Sequence, residues 1–117
     1  MILLFTDFGH EGPYVGQMHA VLAQTAPNVP TIDLMHDAPA FAPRLSAYLL
    51  ASLLPGLPPD AVICAVVDPG VGGDRAPLLV KADGRWLIGP DNGLLAIAAR
   101  RAGHGGRRAA VQGKPAD

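Results

Sequence analysis

Four short segments of this chain place a carboxylate directly after an apolar stretch: Thr6-Asp7-Phe8-Gly9, His36-Asp37, Asp68 to Arg75, and Gly89-Pro90-Asp91-Asn92-Gly93. A carboxylate where a strand gives out can accept two hydrogen bonds from a ribose diol, or it can serve a turn or helix cap, and Asp7 admits both readings. The segment from Asp68 to Arg75 sets an acid and an arginine seven positions apart with Gly70, Gly72 and Gly73 between them. Glycines there let backbone approach a ligand closely while Arg75 folds back on Asp68 to hold a polar group or a water. The plainer reading is a glycine-rich turn with a surface ion pair. Asp91 and Asn92 are candidate ligand contacts, the Asn92 amide above all, against the alternative of a turn and cap. Phe41 is either core or a stacking surface beside the same loops.

Other chemistries are excluded by what is missing. Asp7-Phe8-Gly9 matches a kinase triplet, but no phosphate-covering glycine loop or His-Arg-Asp triplet accompanies it. The Asp68 loop lacks the Gly-Lys-Ser/Thr ending of a Walker motif. His10, His19, His36 and His104 lack the paired spacing of a metal-binding helix, so no metal site is expected. The single cysteine, Cys64, lies in the apolar run 61–67 and reads as a small buried hydrophobe. It also rules out an internal disulfide and points to a reducing compartment.

Elements must bring these loops together. Ile2 to Phe5 is an unbroken apolar run suited to a strand covered on both faces. Val15, Met18, Val21 and Leu22 recur at helical spacing between Pro13 and Gln24, and Thr31 to Met35 supplies a second strand. Leu45, Leu49, Leu50, Leu53 and Leu54 form a second helical stripe that stops at Pro55-Gly56. Ala61 to Val67 reads as the central, most buried strand. Leu78 to Ala82 and Arg85 to Ile88 flank Asp83-Gly84 as a hairpin, and a third helix carries Leu94, Leu95 and Ala98. After Ala102 no apolar period survives. The alternation predicts an α/β sandwich with a mostly parallel sheet and right-handed crossovers, in which ligands bind beyond the carboxyl ends of the strands.

Composition sets the bounds. The 117 residues, half of them hydrophobic and 16% charged, suffice for one small core. A net charge of -1 excludes bulk electrostatic binding to nucleic acid or anionic membrane. The balance is uneven: residues 1–99 hold nine acids against four bases, residues 100–117 five bases against Asp117. No apolar stretch reaches membrane-spanning length, which makes a cytoplasmic location the expectation.

The segments LFTDFG followed by YVGQM, then TIDLMHD, VVDPGVGGDR and IGPDNGLL, stand in this order over roughly residues 1–99. Together they resemble the S-adenosyl-L-methionine (SAM) hydroxide adenosyltransferase family, the SAM hydrolases related to the bacterial fluorinase and chlorinase. The resemblance implies a three-layer α/β/α domain, followed in intact members by a C-terminal β-barrel that is not expected in this chain, and assembly as homotrimers. It implies water attack at C5′ of SAM, giving adenosine and methionine without a cofactor. Asp7 would bind the ribose hydroxyls, Phe41 would flank the nucleoside, and Asp68 with Arg75 would be two members of an Asp-Arg-His set that prepares the water.

This chain departs from the family pattern in three respects. Gly12 stands where an acid is common, with Glu11 beside it. No Phe-His-Gly-Arg-Asp segment supplies the third catalytic member, and His104 in Gly-His-Gly-Gly does not match it. The third is that the second domain is expected to be missing. The expectation is an incomplete N-terminal domain over 1–102 and a basic Gly/Ala/Arg-rich tail over 103–117, disordered or out of frame, in a truncated product that binds nucleoside but turns over little SAM. Two rivals remain: a metal-dependent phosphatase using Asp7 and Asp68, and a non-catalytic interaction module.

Overall fold

A computed structural model describes residues 1–68, 77–102 and 110–112. The elements are β1 (Ile2–Thr6), α1 (Tyr14–Thr25), β2 (Thr31–Met35), α2 (Pro43–Leu53) running into a 3-10 turn at Leu54–Gly56, β3 (Val62–Val66), β4 (Pro77–Ala82), β5 (Arg85–Pro90), α3 (Ala96–Ala102) and β6 (Ala110–Gln112). They build one sheet in the order β2-β1-β3-β5-β4-β6. The pairs β1–β2, β1–β3 and β3–β5 are parallel, whereas β4 runs antiparallel to both β5 and β6. The expected α/β fold with a mostly parallel sheet is the one observed.

Local chemistry accounts for the turns. Asp83 and Gly84 adopt φ of 53° and 79° between β4 and β5, the two positive values that a two-residue hairpin matched to strand twist requires. Helix α2 starts on Pro43, whose missing N–H costs nothing at a first helical position. α3 starts later than the leucines suggest: Leu94 and Leu95 are buried ahead of it in a turn, and the regular helix begins at Ala96.

The core lies on one face of the sheet. Leu3 and Phe5 of β1, Ile63 and Ala65 of β3 and Leu87 of β5 pack with Leu50, Ala51 and Leu54 of the α2 segment and with Leu94, Leu95 and Ala98 around α3. The opposite face is thinly covered. No residue of α1 is buried, and Val21 is 57% exposed. An open apolar cleft of about 400 Å³ separates α1 from Cys64, lined also by Phe8, Tyr14, Met18 and Leu22. The run 61–67 therefore alternates: Ile63 and Ala65 are buried and Val62, Cys64 and Val66 are only half-buried, where an unbroken apolar run predicts cover on both faces. Burial pushes the Cys64 thiol above its ordinary value, which suits packing and not nucleophilic attack.

One further difference concerns the tail. The sequence carries no periodic signal beyond Ala102, yet Ala110–Gln112 pairs with Leu78, Leu79 and Val80 as an edge strand. The open backbone edge of β4 supplies what local propensity does not. Among the described residues no helix is long and apolar enough to cross a membrane.

Candidate functional site

Four strands end on the same edge, at Thr6, Met35, Val66 and Pro90, and their parallel order makes that edge a common platform. The chain passes from β1 outward to β2 and then crosses back over β1 to β3. Strand order thus reverses between β1 and β3, and open sheets bind ligands in the crevice such a reversal leaves. The loops flanking it are those of Asp7 and Asp68.

Asp7 sits one residue past β1, its amide donating to the Val66 carbonyl at 3.3 Å. Its Oδ2 accepts the Phe41 amide at 2.9 Å. Phe41 is 72% exposed and holds φ of +54°, a left-handed conformation uncommon for a bulky residue, so it is not core. Asp68 lies two residues past β3 and is buried at 8% exposure. Arg75, the glycines 70, 72 and 73, and His104 lie outside the described residues.

Asn92 is engaged at both ends of its amide. Nδ2 donates to the Val67 carbonyl at 2.8 Å, and Oδ1 accepts the Leu94 amide at 3.1 Å. The side chain thereby ties the loop after β5 to the segment leading to Asp68. This is a turn-and-cap arrangement that uses one of the two Nδ2 hydrogens, and the second leaves the ligand-contact alternative open. Asp91 is exposed and opens onto a hollow of about 360 Å³ lined by Leu78, Val80, Leu95 and Ala99. It stands on the β4–α3 side of the platform, apart from Asp7 and Phe41.

A second group of side chains, which the motifs contained but residue types did not single out, connects the Asp7 loop to the end of β2. Thr6 is fully buried and His36 is 1% exposed. Thr6 Oγ1 lies 2.7 Å from His36 Nδ1 and accepts the Phe8 amide at 3.2 Å. His36 Nε2 and His19 Nε2 approach the same Asp33 oxygen, Oδ1, at 2.7 and 2.8 Å. A carboxylate only accepts, so each histidine presents Nε2–H to Asp33, and with the His36 ring neutral its Nδ1 receives the Thr6 hydroxyl proton. The His10 ring meets the His36 ring edge-on at 5.9 Å between centroids. Among the described residues no group of three or more His, Cys, Asp or Glu could hold a metal ion.

The hydrogen bond from His36, followed by that from His19, holds the Asp33 carboxyl below the ordinary carboxylate range. A folded-state pKa below the unfolded one contributes stability that is complete above the unfolded value and lost as pH falls through the folded one. The stability difference between the wild-type chain and Asp33→Asn, read as urea midpoints, is therefore expected to be constant near neutral pH and to shrink below about pH 4. The side chain is 46% exposed, so the difference stays under about 1 kcal/mol.

These features define a protein class: an open α/β sheet with carboxylates at the strand ends flanking a topological switch point. Residues 2–114 match the family described as SAM hydroxide adenosyltransferase N-terminal domain, and the chain belongs to that family. It is 49% identical over 98 residues to a protein from Thermus thermophilus named (R)-S-adenosyl-L-methionine hydrolase, covering 83% of this chain and 38% of that protein. A protein of the same name from Salinispora tropica is 46% identical over 92% of this chain and 40% of its own length. Two crystal structures share the fold: an uncharacterized conserved protein from Thermotoga maritima, with a TM-score of 0.82, 34% identity and coverage of 88% of this chain and 40% of that one, and a conserved hypothetical protein from Thermus thermophilus, with a TM-score of 0.73, 44% identity and coverage of 83% and 40%. The chain thus spans about 40% of the length of these relatives.

Proposed function

We propose that this chain supplies the nucleoside-binding side of a SAM hydrolase site. Asp7 receives the ribose hydroxyls, Phe41 flanks the nucleoside, and Asp68, with Arg75 where the resemblance places it, prepares the water that attacks C5′. Asp91 stands farther along the platform as a substrate contact of the outer rim. The observation that carries the reading is the Asp7 carboxylate seated at the β1–β3 switch point and bonded to the amide of an exposed, left-handed Phe41. That bond uses Oδ2, and Oδ1 takes no hydrogen bond among the described residues, which leaves it to accept from a diol.

The chemistry suits these groups. Water gives a proton to the Asp68 carboxylate as it forms the C5′–O bond, the C5′–S bond breaks, and its electron pair stays on sulfur, which departs as the neutral thioether of methionine. Negative charge building on the nucleophile meets the sulfonium's positive charge, so charge cancels along the path and a water-poor crevice favours the crossing. A guanidinium beside Asp68 would lower the cost of a hydroxide-like water. The leaving group is neutral and needs no general acid, and no cofactor or metal enters. Homotrimeric assembly and a cytoplasmic setting belong to the same proposal.

Titration calorimetry with adenosine tests it. The chain is expected to bind adenosine weakly and enthalpically, and Asp7→Ala, at a half-exposed position, is expected to weaken binding by about tenfold or more, the loss that charge-assisted hydrogen bonds account for. Equal affinity in the two proteins, or heat from Mg²⁺ or Mn²⁺ that disappears in Asp7→Ala, would refute the ribose role.

A further inference from the structure

Thr6 is an unexpected residue for its position. It closes the apolar run of β1 and is fully buried, although valine has the same shape without a hydroxyl to satisfy. A buried hydroxyl is costly unless both its capacities are used, and here both are: the oxygen accepts the Phe8 amide, and the hydrogen goes to His36 Nδ1. The backbone repeats the connection. The Thr6 carbonyl accepts the Ala38 amide at 3.0 Å, and the His36 carbonyl accepts the Gly9 amide at 2.6 Å. Three hydrogen bonds therefore stitch residues 6–9 to residues 36–38, the Phe8 amide braces Thr6 from within its own loop, and the Asp7–Phe41 bond extends the stitched pair of loops.

The far end of the chain of bonds is anchored twice. Asp33, on the edge strand β2, receives both His36 and His19 of α1 on a single oxygen. His36 cannot turn without giving up a bond at each ring nitrogen. A buried polar chain with every member satisfied fixes one geometry in preference to its neighbours.

We propose that Thr6, His36 and Asp33 form a positioning relay that holds the loop of Asp7 against the loop of Phe41, so that the ribose-binding carboxylate and the aromatic flank are assembled before ligand arrives. The link to ligand rests on the nucleoside reading of Asp7. The relay touches no substrate. Its effect is preorganisation, which lowers the ordering cost that binding would otherwise meet.

The test uses the full chain and three variants. Thr6→Val keeps shape and removes the hydroxyl, Thr6→Ser restores it, and Asp33→Ala removes the outer anchor at a half-exposed position that the core does not depend on. Amide hydrogen exchange by NMR compares Gly9 and Phe41 with Trp86, whose amide donates to Ala61 at the opposite edge of the sheet and reports opening of the whole fold. In Thr6→Val the protection of Gly9 and Phe41 relative to Trp86 is expected to fall about tenfold, the factor that one hydrogen bond of ordinary net strength supplies, with a smaller fall in Asp33→Ala and recovery in Thr6→Ser. A ratio that stays constant in Thr6→Val and Asp33→Ala would mean that the bonds serve only the fold, and the relay would be overturned.

Adenosine affinity is measured on the same proteins. It is expected to fall roughly in step with the ratio and to return with Thr6→Ser. A wild-type chain that binds no adenosine removes the ribose reading, while the exchange ratio still decides whether the relay holds the loops. A fallen ratio with unchanged adenosine affinity overturns the claim that the relay prepares the binding site.

Discussion

Gly89→Ala is expected to cost about 3 kcal/mol or more, the upper end for forcing a methyl into filled space. Gly89 lies in β5 beside the end of β3, and a Cβ there would fall well inside contact distance of the Ala65 carbonyl oxygen. The obstacle is backbone, with the Leu95 side chain 3.6 Å away on a further side. A flexible neighbour could rotate aside, but Ala65 moves only if β3 moves, and β3 is held by β1 through five paired residues and by β5 through three. The parallel ladder between β3 and β5 ends at Cys64 opposite Ile88, one residue before Gly89, where the strands press together. Gly16 provides the control. It sits in α1 with nothing near its missing Cβ, so Gly16→Ala is expected to stabilise the chain by roughly 0.5–1 kcal/mol. Urea denaturation followed by circular dichroism would measure both, and a Gly89→Ala midpoint within error of wild type would show that β3 and β5 part more easily than their pairing indicates.

The consequence reaches the candidate site. Gly89 precedes the loop that carries Asp91 and Asn92, and Asn92 in turn holds Val67, the residue before Asp68. A strand displaced at Gly89 moves the anchor of the Asp68 segment, so adenosine binding should suffer with stability in this variant and in no helix-surface variant.

How much of this was legible in the sequence depends on the range of the forces involved. The strands and helices follow from short apolar runs and a 3.6-residue period, and the β4–β5 hairpin follows from Asp83-Gly84, which alone permits its turn. All of these are local. The placement of the Asp7 and Asp68 loops on one edge follows from parallel topology, which alternation of elements implies. What escaped is contact between residues far apart in the chain. Thr6 meets His36 across thirty positions, and no pattern of residue types announces it, although a hydroxyl closing an apolar run and a histidine three residues after an acid were the available signals. The Asn92 bond to the Leu94 amide is the local cap its segment offers, whereas its bond to the Val67 carbonyl, 25 positions away, is set by the chain leaving β3, which its own segment cannot reveal. The thin cover of α1 was hidden by the apolar run of β3, since a run states what can be buried and not what arrives to bury it. β6 required an open edge on β4 that no local window contains.

Arg85 is the largest of these long-range effects. It opens β5, directly after the hairpin turn, and its position reads as an ordinary strand terminus, yet it is 7% exposed. Nη2 donates to the Leu57 carbonyl at 2.5 Å and Nε to the Pro58 carbonyl at 3.2 Å, while Nη1 reaches the Asp83 carbonyl at 3.0 Å and its carboxylate at 3.2 Å. One guanidinium thus fastens the hairpin turn to the segment between the 3-10 turn and β3. The two carbonyls belong to Leu57 and Pro58, which are in no strand or helix, and a planar fork of donors is the group that can serve both at once. Removing it leaves those oxygens short of partners and frees the hairpin from the chain entering the central strand. Arg85→Ala is expected to destabilise the protein by roughly 3 kcal/mol, because the bonds are charge-assisted and largely shielded from water. That is a large share of the roughly 5–15 kcal/mol available to a domain of ordinary stability. Arg85→Lys should recover less than half, since a single ammonium cannot span Leu57, Pro58 and Asp83 together. The measurement is the urea midpoint of the three proteins at constant slope. A loss below about 0.5 kcal/mol in Arg85→Ala, the range of unremarkable surface changes, would show that water replaces the guanidinium without penalty and that the turn does not depend on it.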